Sequence, residues 1–339
     1  MGGTRLERAR YAVKAAPVRF GLLSTAPVNA EILAAAGESE LAEVVAVASR
    51  DSVRAAEYAS HHGIPRAYGD YRALLDDPDV DAVYVSLPNA LHAEWSIRAL
   101  EAGKHVLCEK PFSRHPHEVE RAFDAAVRAG RWLTEGLVSR HHPQTERVVE
   151  LVERGAVGEL RTLSAAFTFH LADPDNTRMR PELGGGALMD VGCYCVSSLR
   201  AVAGEPERVH AEQIMGPSGV DLRAVAALRF PGGVLARLEV GMDMPFRHEL
   251  EVIGSDGSLF LADPWHAVAP AIELRSNGHV ERIQTGPANA FVRELENLCS
   301  AIGGHAEPLL GRADALGQAR ALDALVRSAG EERPISAMA

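Results

Sequence analysis

The chain has few cysteines, few lysines and no long apolar run. Its four cysteines, Cys108, Cys193, Cys195 and Cys299, form no Cys-x-x-Cys pair, which argues against a structural zinc site and is typical of reduced thiols in a cytoplasmic protein. No apolar segment approaches the roughly 18 residues of a membrane-spanning helix, so we expect no membrane partner. The net charge of −11 and the lack of a basic block argue against a nucleic-acid partner.

Histidine is plentiful, but its spacing does not indicate a metal. The 14 histidines include adjacent pairs such as His61-His62 and His141-His142, and no His-Glu-x-x-His segment occurs. Neighbours in the chain do not share a helix face and make poor joint ligands. We therefore expect no protein-bound metal.

The hydrophobic pattern divides the chain into two domains after an extension over residues 1–17, which lacks the apolar centre of a secretory signal. From 18 to 138, near-continuous apolar runs alternate with helical patterns, which predicts a Rossmann-type, doubly wound parallel sheet. From 139 to 339, short runs with apolar–polar alternation predict an α+β domain with a large, mostly antiparallel, open-faced sheet. The predicted class is α/β, with a doubly wound N-terminal domain followed by a larger α+β domain.

The segment "VRFGLLSTAPVN" has the strand, turn and helix start of a dinucleotide-binding unit, but not its glycines. Ser24, Ala26 and Asn29 stand where G-x-G-x-x-G would place them. Small side chains still permit close backbone approach, and a helix N-terminus binds phosphate through its N–H groups. We expect Ser24, Thr25, Ala26, Val28 and Asn29 to contact the cofactor.

The end of the second predicted strand, "VVAVASRD", indicates which cofactor is bound. In such units an acidic residue here holds the ribose 2′-hydroxyl, whereas an Arg accommodates a 2′-phosphate. Ser49 and Arg50 occupy this place, and Asp51 is an alternative ion-pair partner for the arginine. We expect NADP(H) to be preferred over NAD(H).

The stretch from 71 to 112, with "LPNALH" and "AGKHVLCEKP", resembles the Gfo/Idh/MocA oxidoreductases. The resemblance continues through "TEGLVSRHHPQ" and "PELGGGALMDVGCY" to "DALGQARALDAL", and covers residues 18–330. The Ser-Thr-Ala loop resembles the glucose–fructose oxidoreductase and dimeric dihydrodiol dehydrogenase branch. The resemblance implies that the first domain binds the dinucleotide and that the second binds substrate. In this family the sheet of the second domain usually mediates dimers or tetramers, so a homodimer or homotetramer is expected.

The resemblance implies that Lys110, Asp190 and Tyr194 are catalytic, and the residues agree with this role. Lys110 follows the carboxyl end of a predicted parallel strand and is one of only three lysines in the chain. Asp190 and Tyr194 are four apart in a predicted helix, which places them on one face. We expect Tyr194 to exchange the proton with the substrate, and Lys110 to hold the substrate oxygen and lower the tyrosine pKa. Asp190 would orient both side chains. The alternative is that Asp190 caps the helix or forms an ion pair and that Tyr194 is an aromatic residue of the core.

The remaining site residues follow from the same resemblance. The Lys110–Pro111 bond is typically cis in the family. Two further groups are expected near the nicotinamide end of the cofactor and in the substrate pocket. Expected at the cofactor are Leu87, Pro88, Asn89, His92, Glu109 and Lys110, and at the substrate Arg140, His142, Asn176 and Arg178. The alternative for each of the four substrate residues is a surface or packing role.

Three functions remain open on the sequence. The first is an NADP-dependent oxidoreductase that transfers hydride to or from a sugar, cyclic polyol or dihydrodiol. The second is a ketoreductase acting on a nucleotide-linked sugar, which would need a wide pocket with a basic patch. The third is a cofactor-binding regulator without turnover, which the intact Lys110, Asp190 and Tyr194 disfavour.

Overall fold

The computed structural model describes residues 16–337, so nearly all of the predicted N-terminal extension lies outside the described residues. The first domain is a six-stranded parallel sheet of order β3-β2-β1-β4-β5-β6, as the alternating pattern predicted. Its strands are β1 Val18–Leu23, β2 Ala42–Ala48, β3 Arg66–Tyr68, β4 Ala82–Val85, β5 His105–Glu109 and β6 Leu133–Gly136. Its helices are α1 Asn29–Glu38, α2 Ser52–His62, α3 Tyr71–Leu75, α4 His92–Glu101 and α5 Pro116–Ala129.

Local sequence signals set the ends of these helices. The Asp51 carboxylate accepts hydrogen bonds from the N–H groups of Val53 and Arg54 and so caps the start of α2. Gly130 ends α5 in the left-handed conformation that glycine adopts without strain. β4 is buried along its whole length, which explains its continuous apolar sequence.

The second domain is built on a nine-stranded mixed sheet of order β14-β13-β12-β11-β7-β10-β9-β8-β15, in which only β7 and β10 pair in parallel. Its strands are β7 Leu160–His170, β8 Arg208–Met215, β9 Asp221–Arg229, β10 Leu235–Gly241, β11 Asp243–Gly254, β12 Ser258–Leu261, β13 Ala271–Ser276, β14 His279–Gln284 and β15 Ile335–Ser336. The helices are α6 Pro143–Glu153, α7 Cys193–Ala203, α8 Ala290–Ile302 and α9 Arg312–Glu331.

The helix layer decides which face of this sheet is buried within the chain. The alternation in "VLARLEVGM" allows Val234, Leu238 and Val240 to be buried either against a partner chain or beneath a helix layer. All three are buried within the chain itself, in the core beneath the helix layer. The open face instead carries the alternate residues of the same strands, among them Val225 and Leu235, which are about half exposed.

The last helices of the chain return to the first domain. Leu295 and Leu298 of α8 are fully buried in the same apolar cluster as Phe20, Leu22 and Ile32. The indole N–H of Trp132 donates to the carbonyl oxygen of Ala301 at the end of α8. One face of the six-stranded sheet is thus covered by residues that come after the nine-stranded sheet in the chain. Among residues 16–337, no helix has the length and apolarity needed to cross a membrane.

We predict that Leu298→Ala lowers the free energy of unfolding by about 2–5 kcal/mol, because it leaves a cavity where α8 covers the first sheet. Urea unfolding measures the change. Leu309→Ala is the matched control, since this leucine is about half exposed and its loss should cost about 0.5 kcal/mol or less. Equal stability of the two variants would contradict the packing of α8 on the first domain.

Candidate active site

A cavity of about 510 Å³ lies between the two domains, at the carboxyl ends of the parallel strands. Open α/β sheets bind ligands at this edge. Most of the residues that the sequence assigned to cofactor and catalysis meet here. They are Ser24, Thr25, Ala26, Val28, Ser49, Arg50, Leu87, Pro88, Asn89, His92, Glu109, Lys110, Asp190 and Tyr194, together with Arg178 from the predicted substrate set.

Side-chain hydrogen bonds hold the loop after β1 where glycines would ordinarily shape it. Ser24 has a φ of +145°, a conformation that favours glycine. Its Oγ lies 2.8 Å from Ser86 Oγ and accepts the Ala26 N–H at 3.0 Å. Asn29 does not line the cavity but donates to the Ser24 carbonyl at 2.8 Å and accepts from Ser86 Oγ at 2.6 Å. Asn29 therefore shapes the loop after β1 through these bonds, and its predicted contact with the cofactor stays a prediction.

The loop retains the groups that bind phosphate. It leads into α1, whose N-terminus faces the cavity through Ala26 and Val28. Within the described residues, no hydrogen bond uses the backbone N–H of Thr25 or Val28. A pyrophosphate would be bound by these donors, so the loop fits a dinucleotide.

The far end of the cavity is basic. Arg50 and Arg54 line it beside Ser49, and Arg54 was not singled out from the sequence although it follows Arg50 by one helical turn. Asp51, the alternative partner for Arg50, forms no ion pair with it among the described residues. The Asp51 carboxylate is bonded to the N–H groups at the start of α2 instead. Two guanidinium groups and a hydroxyl suit a 2′-phosphate.

The catalytic candidates form one charged cluster at the domain boundary. Lys110 Nζ donates to the Asp190 carbonyl oxygen at 2.7 Å and lies 3.2 Å from Asp190 Oδ1. The same ammonium group lies 4.6 Å from the centre of the Tyr194 ring. Arg178 Nε donates to Asp190 Oδ2 at 2.7 Å. Asp190, which is only 8 % exposed, is thus held between two cations.

This arrangement sets the protonation states of the cluster. Burial raises the pKa of Asp190, but Lys110 and Arg178 outweigh it and lower that pKa below its usual value. Burial lowers the pKa of Lys110, yet the charges of Tyr194 and Asp190 raise it overall. Burial raises the pKa of Tyr194 and outweighs the opposing effect of Lys110. The expected lowering of the tyrosine pKa was therefore wrong in its net direction: the site holds an ammonium group and a neutral phenol.

Buried acids fix the segment that carries Lys110. Glu109 accepts hydrogen bonds from the Tyr84 hydroxyl and from the Lys110 N–H. Glu135 accepts the Phe112 N–H at 2.8 Å, and burial raises the pKa of this carboxyl group to about 7. The Lys110–Pro111 peptide bond is cis, as the family resemblance implied. Glu135 gave no sequence signal, because a lone acid at a strand end resembles a surface residue.

Asp190 and Tyr194 lie on either side of the start of α7, where the helix is irregular. Residues Leu188–Gly192 form a π-helical turn ahead of α7, a feature common at functional sites. Asp221 anchors it by accepting the Leu188 N–H at 2.7 Å. A side chain at Gly185 would collide with the carbonyl oxygen of Arg178, so glycine is required for Arg178 to reach Asp190.

Several predicted residues lie in other surroundings. Arg140 contacts Ser197 and Asp314, and His142 caps α6 by accepting the Gln144 N–H. Asn176 caps the turn before Arg178. These three residues do not line the cavity, so their assignment to substrate lacks geometric support. Both ring nitrogens of His92 face carbonyl oxygens, those of Leu87 and Pro111, which makes it a support for the loops around the cavity.

Two family descriptions match this chain. Residues 23–137 match "Oxidoreductase family, NAD-binding Rossmann fold", and residues 145–260 match the GFO/IDH/MocA C-terminal domain. The chain belongs to the Gfo/Idh/MocA oxidoreductases. The family resemblance drawn from "LPNALH" and "AGKHVLCEKP" is thereby confirmed.

Three relatives of this oxidoreductase cover 77–92% of its length. D-xylose 1-dehydrogenase (NADP(+)) 2 of Haloferax volcanii is 38% identical over 317 residues, 91% of this chain and 97% of that protein. Trans-1,2-dihydrobenzene-1,2-diol dehydrogenase of Danio rerio is 32% identical over 265 residues, 77% of this chain and 78% of that protein. A 3-ketoreductase from Actinomadura kijaniata, solved with NADP and TDP-benzene, has a TM-score of 0.88 and 33% identity, covering 92% of this chain and 98% of its own.

We predict that Asn29→Ala weakens NADPH binding although this residue does not line the cavity. The change removes hydrogen bonds to Ser24 and Ser86, which costs about 1–3 kcal/mol where the lost partner is buried. Fluorescence titration with NADPH should show a several-fold higher Kd. Asn297→Ala, which removes an exposed hydrogen bond to the Leu309 N–H, should leave the Kd unchanged. Unchanged affinity in Asn29→Ala would show that the loop keeps its shape without this network.

Proposed function

We propose that this protein is an NADP-dependent oxidoreductase that transfers hydride between nicotinamide and a carbinol or carbonyl carbon of a sugar, cyclic polyol or dihydrodiol. The observation that carries the proposal is the Lys110–Asp190–Tyr194 cluster, which faces the same cavity as the phosphate-binding loop. The relatives named above, which include an NADP(+)-dependent xylose dehydrogenase and a dihydrodiol dehydrogenase, support this substrate range.

The chain's own residues handle the proton, while the bound nicotinamide supplies or accepts the hydride. In carbonyl reduction, negative charge develops on the substrate oxygen, and donors already in place stabilise it. The Lys110 ammonium group and the Tyr194 phenol are such donors, because the pKa of each is raised. Asp190 stays ionised between Lys110 and Arg178 and keeps the ammonium group in position. Tyr194 is our candidate for the group that gives up the proton, and regains it in the reverse direction.

The charges around the cavity favour an uncharged substrate over a nucleotide-linked one. At the catalytic end, the cations that line the cavity in the described chain are Lys110 and Arg178, and both are paired with Asp190. A diphosphate group would have to compete with the buried Asp190 carboxylate for these two cations. The 3-ketoreductase solved with TDP-benzene keeps the nucleotide-sugar alternative under test. A panel of free aldoses, polyols and dihydrodiols against TDP-linked sugars decides between them, since turnover of the linked sugars alone would overturn our proposal.

We predict that Arg50→Ala raises the Kd for NADPH by at least about tenfold and leaves that for NADH within about twofold, because the arginine would pair with the 2′-phosphate. Fluorescence titrations with the two cofactors measure both constants. Arg128→Ala, on the exposed face of α5, is the control and should bind like the parent. A parent protein that prefers NADH, or a variant that keeps its NADPH preference, would contradict the assignment.

We predict that Tyr194→Phe lowers kcat by about 10²–10⁴-fold with little change in KM, because it removes the proton donor and keeps the ring. In the parent, the phenol should add no step to the pH profile of carbonyl reduction between about pH 6 and 9, since it is neutral there, and carbinol oxidation should rise with pH. Tyr68→Phe, which removes a hydroxyl bonded to Asp77 outside the cavity, should keep both profiles. Parent-like turnover of Tyr194→Phe at every pH would refute the role.

We further propose that the open face of the nine-stranded sheet forms the contact of a homodimer or homotetramer in the cytoplasm. This face exposes Val225 and Leu235 beside Arg237 and the Glu239–Arg247 ion pair, a mixture typical of interfaces. Val225→Glu should lower the mass measured by light scattering at micromolar concentration. Val127→Glu is the control and should not, because Val127 is exposed on α5, away from this face. A monomeric parent would refute the proposal.

A further inference from the structure

Three side chains with metal-binding chemistry converge away from the cavity. His248 lies on β11 directly opposite Phe167 of β7, and Asp263 and His266 lie in the loop between β12 and β13. They are distant in the chain, so a search for histidine pairs in the sequence could not find them. None of the three lines the cavity of the candidate active site.

The ligand atoms point at one another. The Nδ1 atoms of His248 and His266 are 3.1 Å apart. Asp263 Oδ1 lies 3.5 Å from His248 Nδ1 and 3.8 Å from His266 Nδ1. A point about 2 Å from all three atoms exists within this triangle, which matches the 2.0–2.2 Å bonds of Zn²⁺ to imidazole nitrogen and carboxylate oxygen. Without a cation, the two facing nitrogens can share only one hydrogen.

We propose that His248, Asp263 and His266 bind one divalent transition-metal cation, with Zn²⁺ as the expected occupant. Two imidazoles and a carboxylate are ligands that Zn²⁺ accepts, and Mg²⁺ prefers sites made of oxygen. The His266 side chain is about half exposed, so the fourth position faces solvent and would be taken by water.

The surroundings hold the carboxylate and the loop in place. Asp263 Oδ1 accepts the His266 N–H at 3.1 Å, and Oδ2 accepts the Val268 N–H at 2.9 Å. The Asp263 carbonyl oxygen accepts from the Gln144 amide of α6 at 2.8 Å. Hydrogen bonds that orient the ligands are typical of metal sites.

Charges near the cluster do not oppose a cation. Arg247, the neighbour of His248 in the chain, pairs with Glu239 and Glu249 on the open face of the sheet. The rings next to the cluster are Phe167 and Phe246, both within 6.0 Å of His248 by ring centres. The Asp263 carboxylate lies within 3.8 Å of both imidazoles, and its negative charge favours a cation there.

The cation would tie the loop to β11 and fix Trp265. This indole stacks on Phe167 at 4.8 Å and donates to Ser198 of α7 at 2.8 Å. Tyr194 lies beyond it, with ring centres 6.3 Å apart. Metal binding would thus stabilise one wall next to α7, and Trp265 would report it by fluorescence.

The test uses the full chain without a histidine tag, stripped with chelator and dialysed against Zn²⁺ alone. We expect one equivalent of zinc per chain in the parent, measured by mass spectrometry of the metal, and a change in tryptophan fluorescence on binding. His248→Ala and His266→Ala should each raise the Kd for Zn²⁺ at least tenfold and abolish the fluorescence change. His279→Ala, on the exposed strand β14, is the matched control and should bind like the parent.

Three results would overturn the proposal. The first is a parent that binds no more zinc than His266→Ala. The second is a His248→Ala variant that keeps the parent's Kd, and the third is competition by Mg²⁺. Because His266 is exposed, its replacement leaves the core intact, and equal thermal unfolding of the zinc-free variants verifies this. Competition by a tenfold excess of Mg²⁺ would also contradict a nitrogen-rich site.

Discussion

The structure depends on one buried carboxylate held between two cations. Asp190 belongs to the second domain, Lys110 to the first, and their contact crosses the cavity where the domains meet. Arg178 completes the set from the loop that precedes the π-helical turn. Removing one partner of such a buried pair commonly costs 3–5 kcal/mol, because a charge is left without compensation. The same contact therefore places the domains and fixes the charge of the group that faces the substrate.

The supports of this contact are themselves buried polar groups. Glu135 and Glu109 hold the backbone that carries Lys110, and Asp221 holds the helix that carries Asp190. Burial raises the pKa of Asp221 to about 6 and that of Glu135 to about 7. Both carboxyl groups therefore change charge close to neutral pH. The site is thus rigid through hydrogen bonds that a purely apolar core could not supply.

The sequence predicts local and repeated patterns well, and distant contacts poorly. The alternation from β1 to β6 and the Glu-Lys-Pro segment specify the parallel sheet and the position of Lys110. An edge strand such as β14, "HVERIQ", is exposed and lacks apolar alternation, so its sequence pattern does not predict a strand. Arg140 and His142 were assigned to the substrate pocket from the family resemblance alone. Their partners, Asp314 and the start of α6, are set by packing that no spacing reveals. The net effect on the Tyr194 pKa likewise depends on burial, which a motif does not contain.

The return of α8 to the first domain has a consequence for synthesis on the ribosome. β6 ends at Gly136, but the leucines that cover one face of the first sheet come more than 150 residues later, at Leu295 and Leu298. At a synthesis rate of 5–20 residues per second, that apolar face waits about 10–30 s for its cover. During this interval the apolar cluster that contains Phe20, Leu22 and Ile32 lacks these two leucines, and apolar surface left uncovered in this way is what chaperones bind.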